Sequence, residues 1–183
     1  DDWVGLPDWA TVDVDGTPYY IGLDAFDTIQ KAIDVAVDGN SIRVLSGTYE
    51  EDISIDVNNI EIFAGGTTIK GVATEPWGSW PYAVPNIDIQ ADGVSIHGFD
   101  IESPDVPDGS YSSGMVLTGT DVEIYDNNFI SIGDGDGGCV AIQTYRDDVP
   151  GYNSDISGLD IHDNTFSGTP DVYVGVFINH TVE

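Results

Sequence analysis

Two eight-residue segments of this chain are versions of one another: VEIYDNNF at 122–129 and LDIHDNTF at 159–166. A shorter relative, VSIHGF, occupies 94–99. In each segment apolar residues alternate with polar ones before a turn, so side chains two positions apart, such as Val122 and Ile124, must face a common interior. The chain therefore contains an internal repeat of strand and turn.

The repeat has a constant unit and loops of variable length. Such units bury a continuous core only when they stack, which predicts a solenoid of short strands. The Asp-Asn pairs at 126–127 and 163–164 fall at the same turn, where asparagine tolerates a left-handed backbone and can stack on its counterpart one coil away. The isoleucines at the centre of successive units are Ile62, Ile96, Ile124 and Ile161.

The segment that follows residue 23 has a helical period. Its apolar residues recur at intervals of three and four positions, which predicts a helix over 25–37. Asp24 is expected to cap its N-terminus, and Gly39 stands just beyond its C-terminus. No other segment has a convincing helical pattern, and the remainder of the chain is predicted to form strands and turns.

Two parts of unequal length are expected. Residues 1–23 carry aromatic residues and prolines in short polar frames, which predicts an extended lead-in with a hairpin around Asp15 and Gly16. Residues 24–183 are predicted to be one domain. No apolar run approaches the 18 or so residues of a membrane span, so membrane insertion is not expected.

The opening of this domain resembles a known family. The segments AFDTIQKAID (25–34) and DGNSIRVLSGTYEE (38–51) resemble the start of right-handed parallel β-helices of the pectin-lyase-like superfamily, and the Asp-Asn-x-Phe repeats are similar to their later coils. The resemblance implies an all-β fold: a right-handed parallel β-helix, or β-solenoid, of about five coils with an N-terminal capping α-helix.

The lead-in carries a second resemblance. The segment DDWVGL (1–6) looks like the stretch that precedes such a domain in large secreted bacterial and archaeal surface proteins. This implies a secreted or cell-surface location. The superfamily itself includes lyases, hydrolases, epimerases, tail spikes, adhesins and non-catalytic surface proteins, so the fold alone does not decide the function.

The charge of the chain restricts its partners. It has 33 acidic residues against 4 basic ones and a formal net charge of -29. Such a surface repels phosphate backbones, so no nucleic-acid partner is expected, and cations are the natural partners. Two interpretations stay open: an acidic, halophilic surface adapted to high salt, where screening removes the self-repulsion, and a surface that binds calcium.

Three loops contain candidate binding residues. The glycine-rich loop GDGDGG (133–138) places Asp134 and Asp136 where carboxylates and exposed carbonyls suit calcium, the possible cofactor. A plain glycine-rich turn is the alternative. The aromatic loop EPWGSWPY (75–82) offers a platform for a polysaccharide, with the alternative that it folds back over the solenoid. Its candidate glycan-binding residues are Trp77, Trp80 and Tyr82.

Asn179 begins the one N-glycosylation sequon of the chain, Asn-His-Thr, which matters only in a secreted protein. His97 and His162 occupy equivalent repeat positions, and Tyr125 is the third member of that set. A metal or acid–base pair is conceivable there. An exterior position that simply accepts histidine or tyrosine explains the same pattern and is favoured.

Catalysis is not favoured. The resemblance implies that lyases of the superfamily use an arginine or lysine base with calcium and that its hydrolases use clustered aspartates, with basic groups that grip the uronate. Only four basic residues are present, and of these only Arg146 falls in a late coil, where a surface ion pair is the simpler interpretation. No catalytic residue is therefore assigned.

The sequence favours a non-catalytic extracellular or cell-surface β-helix module for adhesion, an envelope layer or self-assembly into a filament. The alternative is a polysaccharide-active enzyme, similar to a lyase, epimerase or hydrolase, or a glycan-binding domain. The last apolar strand, at 171–179, is not followed by a charged or proline-rich cap. We therefore expect either further coils of a longer chain or a homo-oligomer that adds strands there.

Overall fold

The computed structural model describes residues 3, 5–72, 83–104, 111–131, 139–144, 156–168 and 172–177. These residues form one α-helix and fifteen strands. The elements are β1 (Thr11–Val14), β2 (Thr17–Tyr20), α1 (Ile29–Val35), β3 (Ser41–Val44), β4 (Gly47–Glu50), β5 (Ile53–Ile55), β6 (Glu61–Lys70), β7 (Ala83–Ile89), β8 (Ser95–Glu102), β9 (Tyr111–Leu117), β10 (Glu123–Tyr125), β11 (Asn128–Ser131), β12 (Cys139–Gln143), β13 (Asp160–His162), β14 (Thr165–Gly168) and β15 (Val172–Phe177).

Thirteen strands, β3 to β15, wind into five coils with three parallel faces. The first face contains β3, β10, β13 and the N-terminal parts of β6 and β8, which run on through the corner into the second face. On this face the equivalent residue of each coil is an isoleucine. In register they are Ile42, Ile62, Ile96, Ile124 and Ile161.

The second and third faces repeat this arrangement. The second combines β4, β11 and β14 with the C-terminal parts of β6 and β8. The third combines β5, β7, β9, β12 and β15. Crossover connections between parallel strands are right-handed. The predicted right-handed parallel β-helix of about five coils is therefore confirmed.

The interior consists of ladders of apolar side chains, one from each coil. Ile62, Ile96 and Ile124 are 3%, 1% and 0% exposed. Each completely buried side chain of this size contributes about 1.5–3 kcal/mol relative to an exposed one. Because no coil covers its own apolar face, this stabilisation exists only when the coils stack.

A left-handed residue precedes the isoleucine of every coil by three positions. Glycine alternates with Asn or Asp there, and a Cβ atom built on Gly93 or Gly158 would collide with Asn59 Oδ1 or Asp121 Oδ1 of the preceding coil. Each side chain thus lies over a glycine of the next coil. The five residues and their φ angles are Gly39 (83°), Asn59 (56°), Gly93 (68°), Asp121 (54°) and Gly158 (72°).

The corner between the first and second faces carries the predicted asparagine ladder. Asn127 is 2% exposed, its Nδ2 donates to the Ile96 carbonyl (3.0 Å), and its Oδ1 accepts from the Phe99 amide (3.1 Å). The backbone N–H of Asn127 in turn donates to Asn164 Oδ1 (3.0 Å). The stacking prediction is confirmed, and the ladder satisfies buried backbone groups in three successive coils.

The left-handed residue of this corner is the aspartate, however, and not the asparagine. Asp126 and Asp163 have φ angles of 53° and 52°. Aspartate tolerates this conformation nearly as well as asparagine. The asparagine that follows is used for its amide, which both donates and accepts along the ladder.

The capping helix is confirmed, but it is shorter than predicted. It spans Ile29–Val35, and its N-cap is Thr28, whose hydroxyl oxygen accepts from the Lys31 amide (3.2 Å). Asp24 is not the cap because its carboxylate accepts from the Tyr20 amide (2.5 Å). The Glu51 carboxylate accepts from the first two helical amides (2.9 and 3.0 Å), which ties the helix to the first coil.

The lead-in forms the predicted hairpin. β1 and β2 pair antiparallel, and Asp15 and Gly16 join them with φ angles of 54° and 82°. Two residues with positive φ are typical of the type I′ turn that suits a right-handed strand twist. A small cluster of Val12, Ile21 and Ala25 packs the hairpin against the start of the domain.

Replacement of Ile124 by aspartate tests the stacked interior. An unpaired carboxylate would enter a site that is 0% exposed, so the free energy of unfolding should fall by at least about 4 kcal/mol. Thermal and urea unfolding followed by circular dichroism measure the change. Val35→Asp is the matched control, since Val35 is 57% exposed on the helix. Equal melting temperatures for the two variants would show that Ile124 does not face a core.

Candidate functional site

The exterior of the first face carries two parallel columns of side chains. Since strands in register lie about 4.8 Å apart, equivalent side chains of neighbouring coils stack directly on one another. In the second to fifth coils, the residues that follow the isoleucines form the ring column: Phe63, His97, Tyr125 and His162. The residues that precede the isoleucines of these coils form the acid column: Glu61, Ser95, Glu123 and Asp160. In the first coil the two positions are occupied by Arg43 and Ser41.

The rings of the ring column lie nearly parallel. Successive centroids are 5.6, 4.4 and 5.1 Å apart, with interplanar angles of 11°, 15° and 6°. Ring faces that meet between neighbouring coils therefore occupy one another. A sugar ring stacks on a free aromatic face, so these stacked faces do not offer a sugar platform, but the column does offer imidazole nitrogens.

Histidines of the ring column contact glutamates of the acid column. His97 Nε2 lies 3.3 Å from Glu61 Oε1, and His162 Nε2 lies 3.5 Å from Glu123 Oε1. Each pair joins one coil to the next. His97 is 21% exposed at its side chain, whereas His162 is 40% exposed.

His162 has further acidic neighbours. Its Nδ1 lies 3.0 Å from Asp163 Oδ2. The hydrogen bond with Asp163 is the largest cause of a raised pKa of His162 above the ordinary 6.5. Desolvation opposes this effect, and Glu123 and Asp160 raise the pKa by smaller amounts. Opposite charges stabilise the imidazolium form.

Glu123, Asp160 and His162 form the acid–histidine triad. One ligand atom from each lies within 4.8 Å of the others. Glu123 comes from β10 in the fourth coil, and Asp160 and His162 come from β13 in the fifth. Carboxylate oxygens and an imidazole nitrogen at this separation are a donor set for a divalent metal or a proton.

A second acidic feature lies at the corner between the first two faces. A cavity of about 270 Å³ is bordered by Asp100, Asp126 and Asp163, with Asn127 and Thr165 among the other residues. Its carboxylates come from three successive coils. The cavity therefore adds a second negative region, on the side of the ring column opposite the acid column.

The basic residues of the described part of the chain lie on the helix and the first two coils, and each pairs with an acid. Lys31 pairs with Asp27 (2.6 Å), Arg43 with Asp15 (3.1 Å) and Lys70 with Glu50 (3.6 Å). The three basic side chains are solvent-exposed, and Arg43 stands in the first coil at the position in register with Phe63 of the ring column. In the described residues of the third, fourth and fifth coils, no lysine or arginine balances the acids.

The structure tests the histidine prediction. His97, Tyr125 and His162 do occupy equivalent exterior positions, as expected from the repeats. Glu123 and Asp160 were not predicted to be their partners. The signal was present, because residues two apart on a strand share a face, and both E-I-Y and D-I-H place an acid beside a ring.

The other predicted site residues lie outside the described residues, and their assignments stay predictions. They are Asp134 and Asp136 for calcium, Trp77, Trp80 and Tyr82 for glycan, Asn179 for glycosylation, and Arg146. Among the helices of the described part, none is long and apolar enough to cross a membrane.

The five-coil stack, the interior ladders and the capping helix define the class: a right-handed parallel β-helix. The chain belongs to the family whose sequence profile matches residues 22–182 and which is described as "Protein of unknown function (DUF1565)". None of the curated proteins matches the chain.

The chain is similar to solved structures of pectin methylesterase. For the Aspergillus niger enzyme in penultimately deglycosylated form, the identity is 18%, the TM-score is 0.39, and the match covers 83% of this chain and 67% of the enzyme. For a pectin methylesterase in complex with a hexasaccharide, the corresponding values are 19%, 0.38, 84% and 62%.

The raised pKa of His162 can be measured by NMR titration of the imidazole protons in buffer that contains EDTA. We expect a pKa above 6.5 in the native chain and a lower value in Asp163→Asn, because this variant removes the largest cause of the shift. Because the pKa of His162 is raised in the folded chain, protonation of His162 stabilises the fold. By linkage, this contribution to the free energy of unfolding is complete below the unfolded-state pKa and is lost as the pH rises through the folded-state pKa.

Asp126→Asn is the matched control for this titration. Asp126 occupies the equivalent left-handed corner one coil earlier, beside Tyr125, and asparagine tolerates that conformation. The pKa of His162 should be the same in this variant as in the native chain. An equal fall in both variants would show that Asp163 has no direct effect on His162.

Proposed function

We propose that this chain is a non-catalytic β-helix module of an extracellular or cell-surface protein, whose acidic exterior is stabilised by cations. One observation carries the proposal: acids stack coil upon coil on the outside of the helix, and the described residues of the last three coils provide no lysine or arginine to balance them.

Stacking of the coils places carboxylates of neighbouring coils close together, so they repel one another. Two unit charges about 5 Å apart repel by about 0.8 kcal/mol in bulk water, and by more beside a protein surface. Ser95 separates Glu61 from Glu123 in the acid column, but Glu123 and Asp160 are direct neighbours. Asp126 and Asp163 are likewise neighbours at the corner. Bound or screening cations relieve this repulsion and so favour the stacked state.

The same charges argue against a uronate substrate. An anionic polysaccharide that approached the later coils would meet carboxylates on the first face and at the corner. Lys31, Arg43 and Lys70 are engaged by acids at the other end of the stack. A module that presents a rigid acidic surface to cations fits this distribution better than an enzyme that grips an acidic sugar.

The proposed location rests on the resemblance of the lead-in and the coils to secreted surface proteins. Within that setting an adhesive or envelope-layer role suits a rigid stack with a repetitive exterior. Self-assembly, and the presence of further coils in a longer chain, stay predictions from the sequence.

Cation dependence is tested by melting temperatures in series of NaCl and CaCl2 at matched ionic strength. Both salts should raise the melting temperature. A specific calcium effect should saturate, with about 2.7 kcal/mol of added stability at 100 times Kd, or about 5–11 °C for a chain of this size, while screening continues to rise with NaCl.

The double variant Glu123→Gln, Asp160→Asn is the informative comparison, because it removes one pair of neighbouring charges and preserves the shapes of the side chains. It should melt higher than the native chain in low salt and gain less from either salt. A native melting temperature that neither salt changes would contradict the proposal.

The absence of catalysis is tested separately. Purified chain incubated with pectate, methylated pectin and alginate should release neither unsaturated products nor methanol nor new reducing ends. Activity on any of these polymers that disappears in Arg146→Ala would replace the proposal by the enzyme alternative.

A further inference from the structure

We propose that the acid–histidine triad, Glu123, Asp160 and His162, is a binding site for a zinc-type transition-metal ion. The site goes beyond the proposed function and does not rest on it, since a general acidic surface would attract calcium or sodium without regard to histidine.

The separation of the donor atoms suits a small metal ion. Zinc takes imidazole nitrogen and carboxylate oxygen at about 2.0–2.2 Å in a tetrahedron, which places neighbouring ligand atoms about 3.4 Å apart. His162 Nε2 and Glu123 Oε1 are 3.5 Å apart. One carboxylate oxygen of Asp160 lies within 4.8 Å of a ligand atom of each of these two residues. Asp160 is solvent-exposed, so rotation of its side chain can close the remaining distance.

The second imidazole nitrogen is already oriented. Asp163 Oδ2 lies 3.0 Å from His162 Nδ1 and can accept the Nδ1 proton, which leaves the Nε2 lone pair directed toward Glu123. Metal-binding histidines commonly have such a carboxylate partner, which orients the ring and raises its basicity. The ring is also held between the coils by its stacking on Tyr125 at 5.1 Å.

The donor set favours transition metals over calcium. Calcium takes six to eight oxygen ligands, whereas the triad offers three protein ligands, one of them nitrogen. Imidazole together with carboxylate suits zinc, cobalt and nickel. The triad faces solvent, so a water molecule can complete the tetrahedron. Because Glu123 belongs to the fourth coil and the other two ligands to the fifth, a bound ion would link the two coils.

The chain contains a natural comparison two coils earlier. His97 and Glu61 repeat the contact between His162 and Glu123, with Nε2 and Oε1 3.3 Å apart. Ser95, however, stands where the triad has Asp160, and Gly98 stands where it has Asp163. That position therefore lacks both the third ligand and the carboxylate partner of the ring, so it should not bind the metal.

The test is isothermal titration of metal-free chain with ZnCl2 in a large excess of CaCl2, which occupies the general acidic surface. We expect one zinc ion per chain, removable with EDTA. CoCl2 should give the intense visible absorption of tetrahedral cobalt. His162→Gln, Glu123→Gln and Asp160→Asn should each weaken zinc binding by about tenfold or more, and Asp163→Asn by about 10–100-fold through the loss of the ring partner.

His97→Gln and Glu61→Gln are the matched controls and should leave zinc binding unchanged. All six substitutions lie on the exterior of the stack, and circular dichroism would verify that each variant is folded. The inference is overturned if His162→Gln binds zinc as tightly as the native chain, if His97→Gln has the same effect as His162→Gln, or if excess calcium abolishes the binding.

Discussion

The structure depends on in-register parallel stacking, in which each column of the β-helix receives one residue from every coil. The central column, Ile42, Ile62, Ile96, Ile124 and Ile161, shows the consequence inside. A coil has no core of its own, so its apolar side chains are buried by the coils above and below. The hydrophobic effect thus selects the register, and the register then determines every neighbour on the outside.

On the exterior, in-register stacking places similar residues of successive coils on one another, and the consequence depends on the residue type. Stacked rings and stacked amides attract, as in the ring column and the ladder of Asn127 and Asn164. The left-handed corner before the first face alternates a side chain with glycine, as Asp121 and Gly158 do, because a side chain on the glycine would collide with that of the preceding coil. Stacked carboxylates repel, and nothing in their own chemistry removes the repulsion.

That repulsion connects the two proposals. Most of the acidic exterior requires only counterions, which any abundant cation supplies. At the triad the repeat also places an oriented imidazole beside carboxylates of two coils. These ligands favour one kind of cation, a transition-metal ion, over the others. The contrast between His162 and His97 shows how small the sequence change is. Ser95 in place of an aspartate and Gly98 in place of another distinguish the contact between His97 and Glu61 from the three-ligand site.

The sequence by itself determined the coils, the capping helix, the hairpin and the exterior position of the histidines, because these follow from local periodicity and turn chemistry. The start of the helix could be located only from the tertiary structure. The Asp24 carboxylate accepts from the Tyr20 amide, and Thr28 is the N-cap. The triad required the tertiary structure too. The repeat aligns Glu123 with Asp160, but it does not give the distances between their side chains and His162. Only the packing of the interior isoleucines brings the fourth and fifth coils together so that these side chains become neighbours.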